Sequence, residues 1–138
     1  MSRTLLVLVF FAGLGQLALA IGSLAIPYLL GWREDVAKLR PLTRQVFWNY
    51  SAYIWVTNVA FGLLSTFAPG ALLDGSTLAR AVSAFIVLYW GGRLAVQFLY
   101  FDRSAMPRGP LFVLGEAALV SLFCYLALVY GAAALGFR

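Results

Sequence analysis

The 138 residues are 63% hydrophobic and 11% charged, and the chain carries a formal net charge of +5. A water-soluble domain of this length would need far more charged side chains over its core, so the composition excludes the ordinary soluble globular class. Histidine is absent, which removes the usual haem ligands, most catalytic zinc sites and the commonest general base. The composition therefore predicts an integral membrane protein without a cofactor or a metal site.

The first predicted helix covers about residues 4–30. At about 1.5 Å per residue it is long enough to cross a hydrocarbon layer of about 30 Å, even when tilted. Arg3 and the Ala18-Leu19-Ala20 pattern are also features of a cleavable signal peptide, since alanines at this spacing resemble a small-residue cleavage site. The apolar run continues past that point through Ile26, so we favour a spanning helix and keep cleavage as the alternative.

Residues 31–45 are predicted to form a loop that contains a short interfacial helix, because Trp32, Val36 and Leu39 recur at helical spacing. The basic residues of this loop could dock anionic lipid or a partner. Alternatively, they anchor the chain at the membrane surface, with Trp32 and Trp48 in the aromatic belt, and we favour this interpretation. The basic residues are Arg33, Lys38, Arg40 and Arg44.

Three further helices are predicted, over about residues 46–68, 76–101 and 110–135, with a loop over 102–109. Pro69-Gly70 stops the first of them, and Ser76 or Thr77 can cap the second. Pro110 suits the first position of the last helix, because proline has no amide to leave unpaired. The sequence thus predicts an all-α fold in which residues 1–138 form one integral membrane bundle of four transmembrane helices.

The loops at 31–45 and 102–109 together carry six basic residues, against three on the opposite side of the predicted bundle. Because short cytoplasmic loops are rich in lysine and arginine, these two loops are predicted to be cytoplasmic and both termini non-cytoplasmic. The compactness of the chain favours a bacterial inner membrane. The three opposing residues are Arg3, Arg80 and Arg138.

Arg93 and Glu116 are ionisable residues inside predicted spanning helices, where a charge costs about 2.5 to 3.5 kcal/mol. With a helix ending near residue 101, Arg93 would lie roughly 13 Å from the cytoplasmic surface, too deep for easy snorkelling. Glu116 would lie roughly 8 Å from the same surface. Since a short loop joins their helices, we expect the two side chains to form an ion pair.

Other polar residues are predicted to share the bundle centre with this pair, and two interpretations compete. They could simply hold the helices together through hydrogen bonds. They could instead form a site in which Arg93 holds an anionic or carbonyl-bearing ligand, and Glu116 orients it or exchanges a proton. The adjacent Gly91 and Gly92 could admit a neighbouring helix, a ligand or a local break in the helix, and we favour the neighbouring helix. The other predicted site residues are Gln97, Tyr89, Tyr100, Asn58 and Gln16.

Sequence motifs of nucleotide binding, zinc proteolysis and serine nucleophiles are absent from the chain, and we expect a protein that is not an enzyme. The favoured function is a non-catalytic subunit or hydrophobic-ligand-binding module of a membrane complex. Its expected partners are membrane lipid, other membrane subunits or further copies of the chain, and not nucleic acid. The alternative is a small-solute or proton-coupled transporter or channel, working as a homo-oligomer with Arg93 and Glu116 in the pathway. A membrane enzyme using Glu116 and Tyr100 comes third.

Overall fold

The computed structural model of the protein describes residues 3–100 and 109–136. These residues form seven helices and no strand, so the predicted all-α class is confirmed. The helices are α1 (Arg3–Ser23), α2 (Ile26–Leu29), α3 (Trp32–Ala37), α4 (Pro41–Phe67), α5 (Pro69–Leu72), α6 (Thr77–Leu99) and α7 (Pro110–Leu135).

The first helix is shorter than predicted, because α1 ends at Ser23 and α2 is a separate turn. Pro27 explains the break: it has no amide to donate to the Ser23 carbonyl, and its ring would clash with that carbonyl in a continuous helix. The backbone tightens here, with the Leu24 and Ala25 amides donating to carbonyls three residues back, at 3.2 Å and 3.1 Å. The apolar run to residue 30 therefore belongs to two elements.

The predicted loop at 31–45 is mostly helical. Gly31 has a φ of +65°, a conformation that favours glycine, and it reverses the chain into α3. A short helix was expected here, and α3 forms it with Val36 buried, while its position at a membrane interface stays a prediction. The second long helix then begins at Pro41 rather than at 46, because proline fits a first helical position.

The remaining helix boundaries lie close to the residues that were predicted to start or stop helices. The second long helix ends at Phe67, and Pro69 opens the single turn α5. Ser76 caps α6 by accepting the Ala79 amide on its hydroxyl at 3.1 Å. The last helix begins at Pro110, as predicted. Residues 101–108, which include the predicted end of the third helix and most of the predicted loop at 102–109, lie outside the described residues.

Three helices, α1, α6 and α7, are long and apolar enough to cross a membrane. The longest helix, α4, does not belong to this group, since its first half contains arginine, glutamine, asparagine, serine and tyrosine side chains. The protein is thus a helical membrane protein with three candidate spans. The predicted fourth span, which corresponds to α4, is not among them.

The four long helices pack as two antiparallel hairpins, α1 with α4 and α6 with α7. In the first hairpin the backbones approach closely at Gly13 and Gly62: a Cβ added to Gly13 would lie 2.8 Å from the Gly62 carbonyl oxygen. Farther along, Trp55 Nε1 donates to the Ala20 carbonyl at 2.9 Å. Small residues let helices approach in this way within lipid.

The two hairpins join through one half of their length. In α4 the buried residues are Gly62 and Ser65, and in α7 they begin only at Phe123. We call this half the closed half. It contains the hydrophobic core cluster, whose first member in the sequence is Leu5 of α1 and whose last is Tyr130 of α7. The other half contains the end of α1, the beginning of α4, the end of α6 and the beginning of α7, and we call it the open half. Residues 111–115 of α7 are all exposed there.

Candidate functional site in the open half

A hydrogen-bonded network connects the four long helices near the middle of the bundle. Gln16 of α1 donates through Nε2 to the Tyr130 hydroxyl of α7 at 2.6 Å. Ser65 Oγ of α4 hydrogen-bonds to the same hydroxyl. The side-chain oxygen Oε1 of Gln16 accepts a hydrogen bond from Trp90 Nε1 of α6 at 3.0 Å. All four side chains are at most 2% exposed, so this network closes the centre of the bundle.

Gln16 is therefore buried as predicted, but its described contacts join it to this network rather than to Arg93. The network residues that the predicted site leaves out are Ser65, Trp90 and Tyr130. The sequence offers a weak signal for Tyr130, a hydroxyl near the end of a very apolar helix. Tyrosine at such a position is also typical of the aromatic belt, which hides its role.

Arg93 lies on α6 in the open half and is half-buried. Its Nη1 donates to Gln97 Oε1 at 3.0 Å, one turn farther along the helix. Its guanidinium stands 5.4 Å from the centre of the Phe123 ring of α7, a cation–π geometry. Because α6 ends at Leu99, Arg93 is only six residues, or roughly 9 Å, from the helix end.

A second polar pair bridges α4 and α6 beside Arg93. The Tyr89 hydroxyl donates to Asn58 Oδ1 at 2.6 Å, and both side chains are half-buried. Phe61 packs edge-on against the Tyr89 ring at 5.3 Å and against Phe85 at 6.0 Å. One face of α6 carries a polar residue on each of three successive turns, namely Tyr89, Arg93 and Gln97. They form a polar track that leads from the end of α6 to the closed centre.

Glu116 lies close to this track by the register of the second hairpin. The Trp90 ring stacks on Phe123 at 5.3 Å, and Arg80 Nε donates to the Ala134 carbonyl at 2.9 Å. These two contacts fix how α6 and α7 pair along their antiparallel length. The same pairing places Glu116 of α7 opposite Gln97 of α6, one turn beyond Arg93. The contacts of Arg93 include those to Gln97 and Phe123, and its ion pair with Glu116 stays a prediction.

Two further sequence expectations concern the surroundings of the track. Tyr100 lies just beyond α6 with an exposed side chain. The expectation that Gly91 and Gly92 admit a neighbouring helix is wrong within the described residues, since a Cβ added at either position would meet nothing within 4 Å. The helix is continuous there. The open space lies at the glycines themselves, on other faces of α6 than the one that carries Arg93.

Within residues 3–100 and 109–136, no group of three histidine, cysteine, aspartate or glutamate side chains could hold a metal ion. The site therefore consists of a cation, two amides, a phenol and aromatic rings, which suit the recognition of an anion or a carbonyl group. Comparison with models of protein families, with curated proteins and with solved structures found no match for this chain.

Proposed function

We propose that this protein is a non-catalytic, hydrophobic-ligand-binding module of a membrane complex. Its ligand is an amphipathic molecule dissolved in the membrane, with an anionic or carbonyl-bearing head and an apolar body. The head binds at Arg93 in the open half, and the body lies along the apolar helix surfaces beside it. Glu116, one turn away by register, orients the head group.

The observation that carries this proposal is the position of Arg93 in a bundle that is closed beyond it. The guanidinium contacts Gln97 and Phe123, while the Arg93 side chain stays only half-buried. A charge used only to hold helices together needs no such exposure. A preformed cation with an open approach from the membrane suits a ligand that arrives laterally.

The closed centre favours binding over transport as the function of one copy. A solute that entered along the polar track would meet Trp90 and the Gln16–Tyr130 hydrogen bond, which are almost completely buried. Passage would require breaking this network. Transport by a homo-oligomer, the alternative function, would need a pathway between copies instead.

Binding of simple amphipaths tests the proposal. Purified protein in neutral detergent is titrated with radiolabelled palmitate, methyl palmitate and hexadecanol, which share a chain and differ in the head group. We expect saturable binding of palmitate or methyl palmitate, and much weaker binding of hexadecanol. Arg93→Gln should weaken binding about tenfold or more, because it removes a charge-assisted hydrogen bond.

Arg80→Gln is the matched control, since it removes one arginine at the opposite end of the same helix. Its palmitate affinity should equal that of the wild type, and the thermal unfolding midpoint of each variant reports whether it folds. Equal binding of hexadecanol, or unchanged affinity in a folded Arg93→Gln variant, would contradict the proposed function.

We also propose that all four long helices cross a bacterial inner membrane, with both termini on the non-cytoplasmic side. The length of α4 and the basic residues at 31–45 support this topology. Fusions of alkaline phosphatase and of green fluorescent protein to the C-terminus test it. The topology predicts an active phosphatase and a dark fluorescent protein, and the reverse pattern would contradict it.

A further inference from the structure

A basic surface lies at the end of the open half, separate from the Arg93 site. It comprises residues 28–48, which run from α2 through α3 into the first two turns of α4, and we call it the basic elbow. The glycine turn at Gly31 folds α3 back against α4, and Val36 is the buried anchor of α3. The elbow is thus a fixed surface at the end of the bundle.

Aromatic rings line this elbow on the side of the bundle. The Trp32 ring packs edge-on against Phe47 of α4 at 5.3 Å, and Phe47 packs in the same way against Trp48. The Arg33 guanidinium stands 5.5 Å from the centre of the Tyr28 ring. Tryptophan and tyrosine rings prefer the headgroup level of a bilayer, which places the elbow at that level.

The cations of the elbow are not neutralised by neighbouring carboxylates. Arg33, Lys38 and Arg40 are exposed and Arg44 is half-buried. None of the four forms a salt bridge within the part of the chain that the structure describes. Glu34 and Asp35 stand in the first turn of α3, where they favourably oppose the helix dipole. Four cations without an ion-pair partner are therefore available on this surface.

We propose that the basic elbow binds the phosphate groups of anionic phospholipids in the adjoining leaflet. Arginine forks match phosphate oxygens with paired hydrogen bonds, and lysine adds a mobile charge. Arg40 immediately precedes α4 and Arg44 lies in its first turn, where its amide donates to the Arg40 carbonyl at 2.9 Å, so both side chains can reach one headgroup or two adjacent ones. The elbow directly follows α1, a helix long enough to span a membrane. This connection holds its cations at the depth of the lipid phosphates. A phospholipid is therefore favoured over a soluble anion.

Native mass spectrometry of lipid retention tests this site. The purified full chain is equilibrated with equal trace amounts of phosphatidylglycerol and phosphatidylcholine that have identical acyl chains. We expect the wild type to retain the anionic lipid several-fold over the neutral one. The variant K38Q/R40Q/R44Q should retain the two lipids about equally, because the attraction to the anionic headgroup is lost.

Two matched controls separate lipid recognition from net charge and from folding. The charge-preserving variant K38R/R40K should keep the preference. The variant R3Q/R80Q, which removes cations at the opposite end of the bundle, should keep it as well. Loss of the preference in R3Q/R80Q with retention in K38Q/R40Q/R44Q would overturn the proposal, and so would a wild type without any preference.

Inorganic phosphate distinguishes a lipid site from a site for a free anion. Phosphate added at a large excess over lipid should leave phosphatidylglycerol retention nearly unchanged, since the lipid is also held by its chains. Complete displacement by phosphate would overturn the assignment to phospholipid. The elbow residues are outside the Arg93 site, so palmitate affinity should be the same in K38Q/R40Q/R44Q and in the wild type.

Discussion

At the scale of single residues, the Tyr130 hydroxyl is the centre of the buried network. It hydrogen-bonds to both Gln16 and Ser65, and its side chain is completely buried. Tyr130→Phe leaves Ser65 without this partner and removes one bond of Gln16. We expect a loss of about 1 to 3 kcal/mol in the free energy of unfolding, measured by denaturant titration in mild detergent.

Tyr50→Phe is the control for this prediction, because Tyr50 is 63% exposed and makes no hydrogen bond through its side chain within the described residues. It should leave stability within about 0.5 kcal/mol of the wild type. Equal stability of the two variants would mean that the network contributes nothing to the bundle.

The residue types explain which members of the polar groups could be predicted. Arg93, Gln97, Tyr89 and Asn58 stand out because polar side chains in apolar helices are costly, and the structure places them together in the open half. The separation of Gln16 from them could not be predicted. It depends on the register between hairpins, which is set by packing and not by the period of any one helix.

At the scale of the elements, the close approach of α1 and α4 depends on two glycines. A Cβ at Gly13 would lie 2.6 Å from the Thr66 amide nitrogen, a backbone atom that cannot move aside alone. Gly13→Ala should therefore separate the helices and lower the free energy of unfolding by about 1 to 3 kcal/mol, again measured by denaturant titration.

Gly92→Ala is the matched substitution in a helix where the added methyl group meets nothing. It should be neutral or stabilising by up to about 1 kcal/mol, since alanine favours helix more than glycine does. If Gly92→Ala destabilised the protein as much as Gly13→Ala, open space at Gly92 would be ruled out.

The turn before α6 has a pH dependence of its own. The Ser76 amide donates to Asp74 Oδ1 at 2.8 Å, and this hydrogen bond holds the pKa of the exposed Asp74 carboxyl below its usual range. A lowered pKa gives stability that is present above the unfolded-state pKa and is lost as the pH falls through the lowered value. The protection factor of the Ser76 amide against hydrogen exchange should fall there, and Asp74→Asn should remove this acid-dependent step.

Element boundaries were predictable where proline or serine marks them, as at Ser76 and Pro110. They were not where two signals compete. Hydropathy joins residues 4–30 into one helix, whereas Pro27 divides them. Likewise, the charges at 33–44 suggest a loop, yet Pro41 starts a helix within them. Local backbone chemistry decided both cases, because hydropathy reports burial and not hydrogen bonding.

At the scale of the whole molecule, the difference between the two halves is the feature from which function is inferred. The core cluster from Leu5 to Tyr130 lies in the closed half, and the open half contains the polar track and the basic elbow. Composition predicted the helical membrane class, but it could not predict this asymmetry. How far two hairpins diverge depends on contacts between them, which no single segment encodes.

The most direct test of the proposed function is native mass spectrometry of the protein extracted gently from its own membrane into lipid-bilayer discs. We predict that the wild type retains one small amphipathic molecule of defined mass per chain, and that a folded Arg93→Gln variant lacks it while Arg80→Gln retains it. A wild-type protein that carries no such molecule, or an Arg93→Gln variant that carries the same amount, would contradict the assignment of Arg93 as a ligand-binding residue.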